Sequence, residues 1–278
     1  MSILIDPGLY DGMHMDVYHA SPGVSSSGLK AMLRSPAHYQ AYANGASKAD
    51  EAQQRAFLMG TAVHAALQGG DAELFQVVTV APKVDRRTNA GKKAWAQWES
   101  ESQGRAVITA DDLAVIRAMA DSVRSDPWAA HVLRDGIAER SVFWLDGETG
   151  ELCKCRPDYW RPDEGLIIDF KTCQDARPDA AAKTIAAFDY HLSAAMYLDG
   201  GAAERFMWIF VEKSPPYAVA CYLASDEMLS IGRARYRRAL NLYHHCRQAD
   251  TWPAFGTYRE INLPKWAIYR EIEDAAQQ

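Results

Sequence analysis

From residue 138 the apolar period along this chain shortens, from the three-to-four spacing of helices to the alternation of strands. Before that point the pattern predicts helices. "PGVSSSGLKAMLRSPAHYQAYANG" reads as a capped helix followed by a second short one, with N-caps available at Ser25 to Ser27 and an interruption at Pro36. "AFLMGTAVHAALQGG" predicts a helix over about 56–68, stopped by Gly69-Gly70. "FQVVTVA" reads as a strand. A basic loop then enters a helix carrying Trp95 and Trp98, and residues 110–125 and 127–134 read as helical. After residue 138, "ERSVFWLD", "ELCKCRPDYW" and "LIIDFKT" predict three strands joined by tight turns at "GETG" and "RPDEG". "AAKTIAAFDYHLSAAMYLDGG" predicts one amphipathic helix ended by Gly200-Gly201. Two strands around a Ser-Pro-Pro turn follow, then a helix over about 226–248 and an irregular aromatic tail. The order predicts an α/β domain with a mixed central sheet and an N-terminal helical part, without a linker.

Composition narrows the classes. The 278 residues are 48% hydrophobic and 24% charged, an ordinary globular balance, and the net charge is −6. A protein that coats nucleic acid through global charge is basic. Contact with a polyanion here must therefore come from a local basic groove or through metal ions. The five cysteines form neither a Cys-x-x-Cys pair nor a disulfide framework, as expected of buried thiols in a reducing cytoplasm. The N-terminal "MSILIDPGLYDG" does not read as a signal peptide, and no stretch approaches the ~18 apolar residues of a membrane span.

The candidate chemistry lies in "GLIIDFKTC". Asp169 and Lys171, two residues apart in a strand, point to the same face. If Pro162 to Gly165 form a four-residue loop, or Asp163-Glu164 a two-residue one, Arg161 pairs with Leu166, Tyr159 with Ile168 and Asp158 with Asp169. A three- or five-residue loop breaks that alignment. Opposed side chains have Cβ atoms ~4.5–5.5 Å apart, so two carboxylates meet with Lys171 one step along. They repel unless something offsets the charge. A divalent metal does so, and the set then suits metal-assisted phosphodiester hydrolysis. An isolated Asp-x-Lys would read as a solvated ion pair; the opposed Pro157-Asp158 favours the metal.

Pro157-Asp158 followed by Asp169-Phe170-Lys171 resembles the signature of the PD-(D/E)XK nuclease superfamily. The longer text "VYHASPGVSSSGLKAMLRSPAHYQAY", "GTAVHAALQG", "KCRPDYW", "LIIDFKTC" and "YHLSAAMYLDG" is similar, in that order, to the RecE-type exodeoxyribonuclease VIII branch near the RecB nuclease domain. The resemblance covers most of the chain. It implies a restriction-endonuclease-like core: a mixed sheet flanked by helices at about 138–250, with an N-terminal helical part at about 1–70 and one nuclease domain over 1–278. It implies Asp158, Asp169 and Lys171 as catalytic residues. His64, Asp158, Asp169 and the Phe170 carbonyl would be ligands of Mg²⁺, for which Mn²⁺ substitutes. His64 taken alone on an apolar helix would read as a core histidine. Glu139 is an accessory ligand through water or a second ion, or else an exposed residue at a strand start.

The implied activity is a cytoplasmic, metal-dependent DNA exonuclease acting 5′-to-3′ on linear duplex ends. It would leave 3′ single strands for a single-strand annealing recombinase, and would work as a homo-oligomeric ring such as a tetramer. The alternatives are a RecB-like nuclease of other polarity or single-strand preference, and a non-catalytic DNA-binding or assembly protein on the same fold. The iron–sulfur arrangement of some relatives is absent, because Cys153, Cys155 and Cys173 have the wrong spacing. Ser193 and Tyr197 stand where relatives carry a Gln and a Tyr that position DNA, and Ser193 is too short to reproduce a Gln contact. Arg86, Arg87, Lys92 and Lys93, with Trp95 and Trp98 behind them, form either a strand-tracking surface or a solvated loop over core tryptophans. Arg233, Arg235, Arg237 and Arg238 read as a solvated helix face. The tail aromatics Trp252, Phe255, Tyr258, Trp266 and Tyr269 offer a subunit contact or a cap on the chain's own core.

Overall fold

The structure is a computed structural model and describes residues 5–46, 50–102, 104–201, 203–256 and 260–276. In chain order the elements begin with β1 (Gly8–Tyr10), α1 (Met15–Ala20), α2 (Ser26–Arg34), α3 (Pro36–Ala43) and α4 (Glu51–Val77). Next come β2 (Val78–Val80), α5 (Asn89–Glu101), β3 (Ala106–Ile108), α6 (Ala110–Ser125), α7 (Pro127–Val132) and β4 (Ile137–Ala138). The strand-rich part holds β5 (Ser141–Leu145), β6 (Leu152–Cys155), β7 (Tyr159–Arg161) and β8 (Leu166–Cys173). Then follow α8 (Pro178–Ala187), α9 (Tyr190–Gly201), β9 (Arg205–Glu212), β10 (Val219–Leu223), α10 (Asp226–Ala249) and α11 (Lys265–Ala276).

The central sheet runs β10-β9-β8-β7-β4 and is mixed: β8 and β9 are parallel and its other pairings antiparallel. Parallel pairs are stable only when both faces are covered, and both are. On one face Leu166, Ile168, Phe170, Ile209 and Val211 pack against α4, α6 and α7. On the other Ile167, Phe206, Trp208 and Phe210 pack against α8 and α9. A third cluster joins α2, α9 and α10 through Leu29, Met32, Leu192, Met196 and Leu240. No described helix is long and apolar enough to cross a membrane.

The hairpin register is as expected. One 3₁₀ turn over Pro162–Glu164, closed by Gly165 at φ 56°, sets Arg161 opposite Leu166 and Tyr159 opposite Ile168. The meander is not. "ELCKCRPDYW" splits into β6, which pairs with β5 in a separate β1-β5-β6 sheet, and β7, which joins the central sheet. Pro157 sits in the break, having no N–H for a ladder. β7 is therefore only three residues long against the eight of β8. The second half of β8 is left with a free ladder edge on that side among the described residues.

Other boundaries also differ. Gly69-Gly70 kinks α4 rather than ending it, since Gly70 takes φ 64° and the helix resumes to Val77 because Leu74 is fully buried. The strand expected from Phe75 is confined to β2, beside its parallel partner β3. The single helix expected over 181–201 is two, broken at Asp189, which adopts φ 51°. The tail is not wholly irregular, because it ends in α11. Trp252 stacks on Tyr39 at 5.4 Å and Phe255 lies against His38, whereas Trp266 and Tyr269 are exposed; Tyr258 lies outside the described residues.

Candidate metal centre and active site

The site forms where β7 stops. Asp158 lies one residue beyond the last ladder pair, and its carboxylate takes over as acceptor. The Phe170 N–H donates to Asp158 Oδ2 at 2.8 Å, while the Asp158 carbonyl accepts from the Glu139 N–H at 3.2 Å. The carboxylate is thereby turned into the gap beside the free edge of β8. From the other wall, α4 brings His64: Nε2 lies 3.1 Å from the Phe170 carbonyl and Nδ1 lies 3.5 Å from Asp158 Oδ1. Glu139, held at φ 53° between β4 and β5, accepts from Gln68 Nε2 at 3.0 Å and pairs with Arg156. One ligand atom from each of His64, Glu139 and Asp158 lies within 4.8 Å of the others.

Asp169 stands on the β8 face that α9 covers and pairs with Lys171, whose Nζ also donates to the Phe170 carbonyl at 3.1 Å. Asp169 Oδ2 is buried and, apart from that ion-pair contact, accepts no hydrogen bond. Burial pushes the Asp158 carboxyl up to about 6, with Asp169 and Glu139 adding to the rise against the opposing pull of His64 and Lys171. Burial pulls the Lys171 ammonium down, but Asp169 and Asp158 outweigh it and hold it above the usual lysine range.

The donor set fits a hard divalent cation. Glu139, Asp158 and the His64 imidazole bring ligand atoms within 4.8 Å of one another beside the Phe170 carbonyl, whereas Asp169, expected as a ligand, is paired with Lys171 and lies outside that cluster. Oxygen-rich sites of this kind suit Mg²⁺ or Mn²⁺. The site opens into a cleft of about 1340 Å³ whose walls include Ser25 to Gly28, Thr61, Gln68, Arg156 and Tyr197.

The other expected residues are more scattered. Tyr197 faces the cleft, and Ser193 is partly exposed one turn before it on α9. His191 is buried in the core, its Nδ1 3.4 Å from the Ile185 carbonyl. The Arg86 guanidinium lies 4.1 Å from the Trp95 ring, Arg87 pairs with Asp85, and Trp98 donates from Nε1 to Thr79 at 3.2 Å. Lys92 and Lys93 are exposed. On α10, Arg233, Arg235 and Arg237 are consumed by Asp199, Asp189 and Asp146, and Arg238 is exposed. Sequence reasoning missed Gln68 and Arg156, which hold Glu139. Gln68 follows His64 by four residues, one turn along the same helix face; Arg156, inside "KCRPDYW", carries no such sign.

The profile of a family described as a PDDEXK-like domain of unknown function (DUF3799) matches residues 25–258. A solved structure from Eubacterium rectale, provisionally named an exonuclease, superposes with a TM-score of 0.57 at 12% identity, covering 91% of this chain and 96% of that one. That likeness shows the fold. A phage-related exonuclease from Haemophilus somnus 129PT aligns at a TM-score of 0.35 and 14% identity over 83% of this chain and 97% of that one, and carries no argument. No curated protein matches the sequence.

The raised Asp158 carboxyl makes a stability prediction. Its folded value lies above its unfolded one, so ionisation costs stability: the cost is absent below ~4, grows as pH rises to about 6, and is constant above. Asp158→Asn keeps the acceptor for the Phe170 N–H and removes the charge. In EDTA at pH 7.5 it raises stability by on the order of 2 kcal/mol, a few degrees in Tm. The gain shrinks towards zero near pH 4. Thermal melts across that range check the sign; a variant less stable than wild type at pH 7.5 contradicts the assignment.

Proposed function

We propose that this chain, which belongs to the PDDEXK-like family, is a metal-dependent DNA exonuclease. On this reading it digests linear duplex from the 5′ end and leaves 3′ single strands for an annealing recombinase. The observation that carries the reading is the convergence of His64, Glu139 and Asp158 beside an Asp169–Lys171 ion pair. A non-catalytic DNA-binding module needs basic surface, not a cluster of half-buried carboxylates.

His64, Glu139 and Asp158, with the Phe170 carbonyl and Asp169 beside them, would hold a divalent cation, which when bound would supply Lewis-acid polarisation of the scissile phosphate and an acidified water. The chain's own residues do the rest. Asp158 is fixed by the Phe170 N–H, so its ligand oxygen does not reorient between turnovers. Lys171, held by Asp169 and the Phe170 carbonyl, points an N–H donor at the attacking water or a phosphate oxygen. On this reading the strand enters the cleft past Tyr197 on α9, and the exposed Lys92 and Lys93 would extend its path. A ring of subunits would turn these cations inward and keep the acidic exterior away from the substrate.

Incubation of end-labelled linear duplex with Mg²⁺ or with EDTA tests the reading. The 5′ label is released first with Mg²⁺, and nothing is released in EDTA. Release from the 3′ end overturns the polarity, and no cleavage with Mg²⁺ or Mn²⁺ overturns the nuclease.

Lys171→Ala separates chemistry from metal binding. Cleavage falls at least ~10²-fold, as for loss of a transition-state contact, while calorimetry with Mn²⁺ still shows binding. Asp169→Ala loses both. Loss of Mn²⁺ binding in Lys171→Ala contradicts the role given to the lysine.

Light scattering at micromolar concentration tests the ring. The expected mass is a multiple of 30.9 kDa, and a clean monomer that digests distributively removes the ring from the proposal.

A further inference from the structure

The α2 helix brings a second lysine to the site. Lys30 Nζ lies 5.2 Å from the centre of the Tyr190 ring, and Lys171 Nζ lies 4.9 Å from the centre of the same ring. Tyr190 begins α9 and is itself stacked on Phe188 at 5.6 Å. Lys30 is half-buried, yet it forms neither a hydrogen bond nor an ion pair among the described residues. The charged groups that act on it are Lys171, which repels it, and Asp169 and Asp189, which attract it without touching it. Asp169 is already paired with Lys171, and Asp189 with Arg235.

An ammonium partly withdrawn from water without a counter-ion is costly. The loss of water pushes Lys30 down to about 8. The position is nevertheless fixed from several sides. Ser25 caps α2 by accepting from the Gly28 N–H, and Leu29 and Met32 on the same helix are fully buried. The segment leading into α2 is fastened to β6 by the bonds of Val24 with Leu152 and Lys154. Lys154 in turn donates from Nζ to the carbonyls of Tyr18, His19 and Ser21. The chain thus holds an uncompensated cation rigidly beside the catalytic lysine.

We propose that Lys30 is a phosphate-binding residue of the DNA site, its ammonium taking as counter-ion a backbone phosphate oxygen of the strand held against Asp169 and Lys171. The assignment rests on the nuclease reading above and extends it to a residue of the N-terminal helical part. The Tyr190 ring acts as a spacer: it gives both ammoniums a π face, holds them apart, and leaves their N–H donors free for an anion. The substrate supplies the charge that the protein does not.

The test uses the full chain with Lys30→Gln, Lys30→Met and Lys30→Arg. A short fluorescein-labelled duplex is titrated in EDTA over a range of KCl concentrations and followed by anisotropy. Each phosphate neutralised adds ~0.9 to the slope of log K against log salt, so Lys30→Gln and Lys30→Met lose about one unit of slope and roughly tenfold in affinity. Lys30→Arg retains the slope. With Mg²⁺, kcat/KM falls about tenfold in Lys30→Gln, chiefly through KM. The Tm of the DNA-free Lys30→Met variant equals or exceeds that of wild type, because no hydrogen bond or ion pair is lost and a partly desolvated charge is removed. A lysine serving only packing gives the opposite: lower Tm and unchanged salt slope, and that result overturns the proposal. Wild type that cleaves DNA, with an unchanged slope in Lys30→Gln, overturns this assignment alone. Wild type that neither binds nor cleaves duplex overturns the nuclease reading and this one with it.

Discussion

The parallel pairing of β8 with β9 is the constraint from which the rest follows. It runs the full length of β8, from Leu166 opposite Arg205 to Cys173 opposite Glu212. A parallel pair needs cover on both faces, and the helices that give it, α4 and α6 on one side and α8 and α9 on the other, carry water away from everything on the strand. Leu166, Ile167, Ile168 and Phe170 gain from that. Asp169 and Lys171 do not: they are carried into a desolvated position by the strand they belong to. Their mutual attraction is strong there because the surroundings are dry, and each would be very costly alone. The early end of β7 then decides where the site opens. With its ladder broken at Pro157, the free edge of β8 is finished by the Asp158 carboxylate instead of a backbone carbonyl.

Substituting a side-chain carboxylate for a ladder acceptor has an electrostatic consequence. A backbone carbonyl would satisfy the Phe170 N–H equally well without a charge. The chain uses Asp158, next to Asp169 and Glu139, and bears the raised carboxyl that results. The His64 ring faces an acceptor at each nitrogen, the Phe170 carbonyl at Nε2 and Asp158 Oδ1 at Nδ1. Such a concentration of acceptors is unfavourable without a cation and favourable with one. The fold stores repulsion locally, and the surrounding core, made of fully buried Ile, Phe and Leu side chains, holds the groups in place against it.

The part of this that could be read from the sequence was the part governed by local geometry. Strand alternation puts Asp169 and Lys171 on one face, and counting residues across "RPDEG" gives the register that brings Asp158 beside them. What could not be read depends on contacts between distant segments. Asp189 breaks the expected helix with no Gly or Pro to mark it, because an Asp tolerates the left-handed conformation and its carboxylate gains Arg235 from α10. Gly69-Gly70 looked like a helix stop, yet the burial of Leu74 keeps the following turns helical. Lys30 was an ordinary helix residue until α2 was found beside α9. Arg156 was hidden for the same reason: its partner Glu139 comes from a different strand connection.

Charge on this chain is distributed in a way that its net value conceals. The arginines that looked most exposed, on α10, are neutralised by Asp199, Asp189 and Asp146, so they add little field at a distance. Arg87 is similarly matched by Asp85. Lys30, by contrast, has no ion pair among the described residues and shares the Tyr190 ring with the Asp169–Lys171 pair. On the proposed nuclease reading, a strand phosphate near Lys30 and Lys171 would meet two ammonium groups beside one aromatic ring, and the register along the strand would follow from that contact rather than from reading the bases.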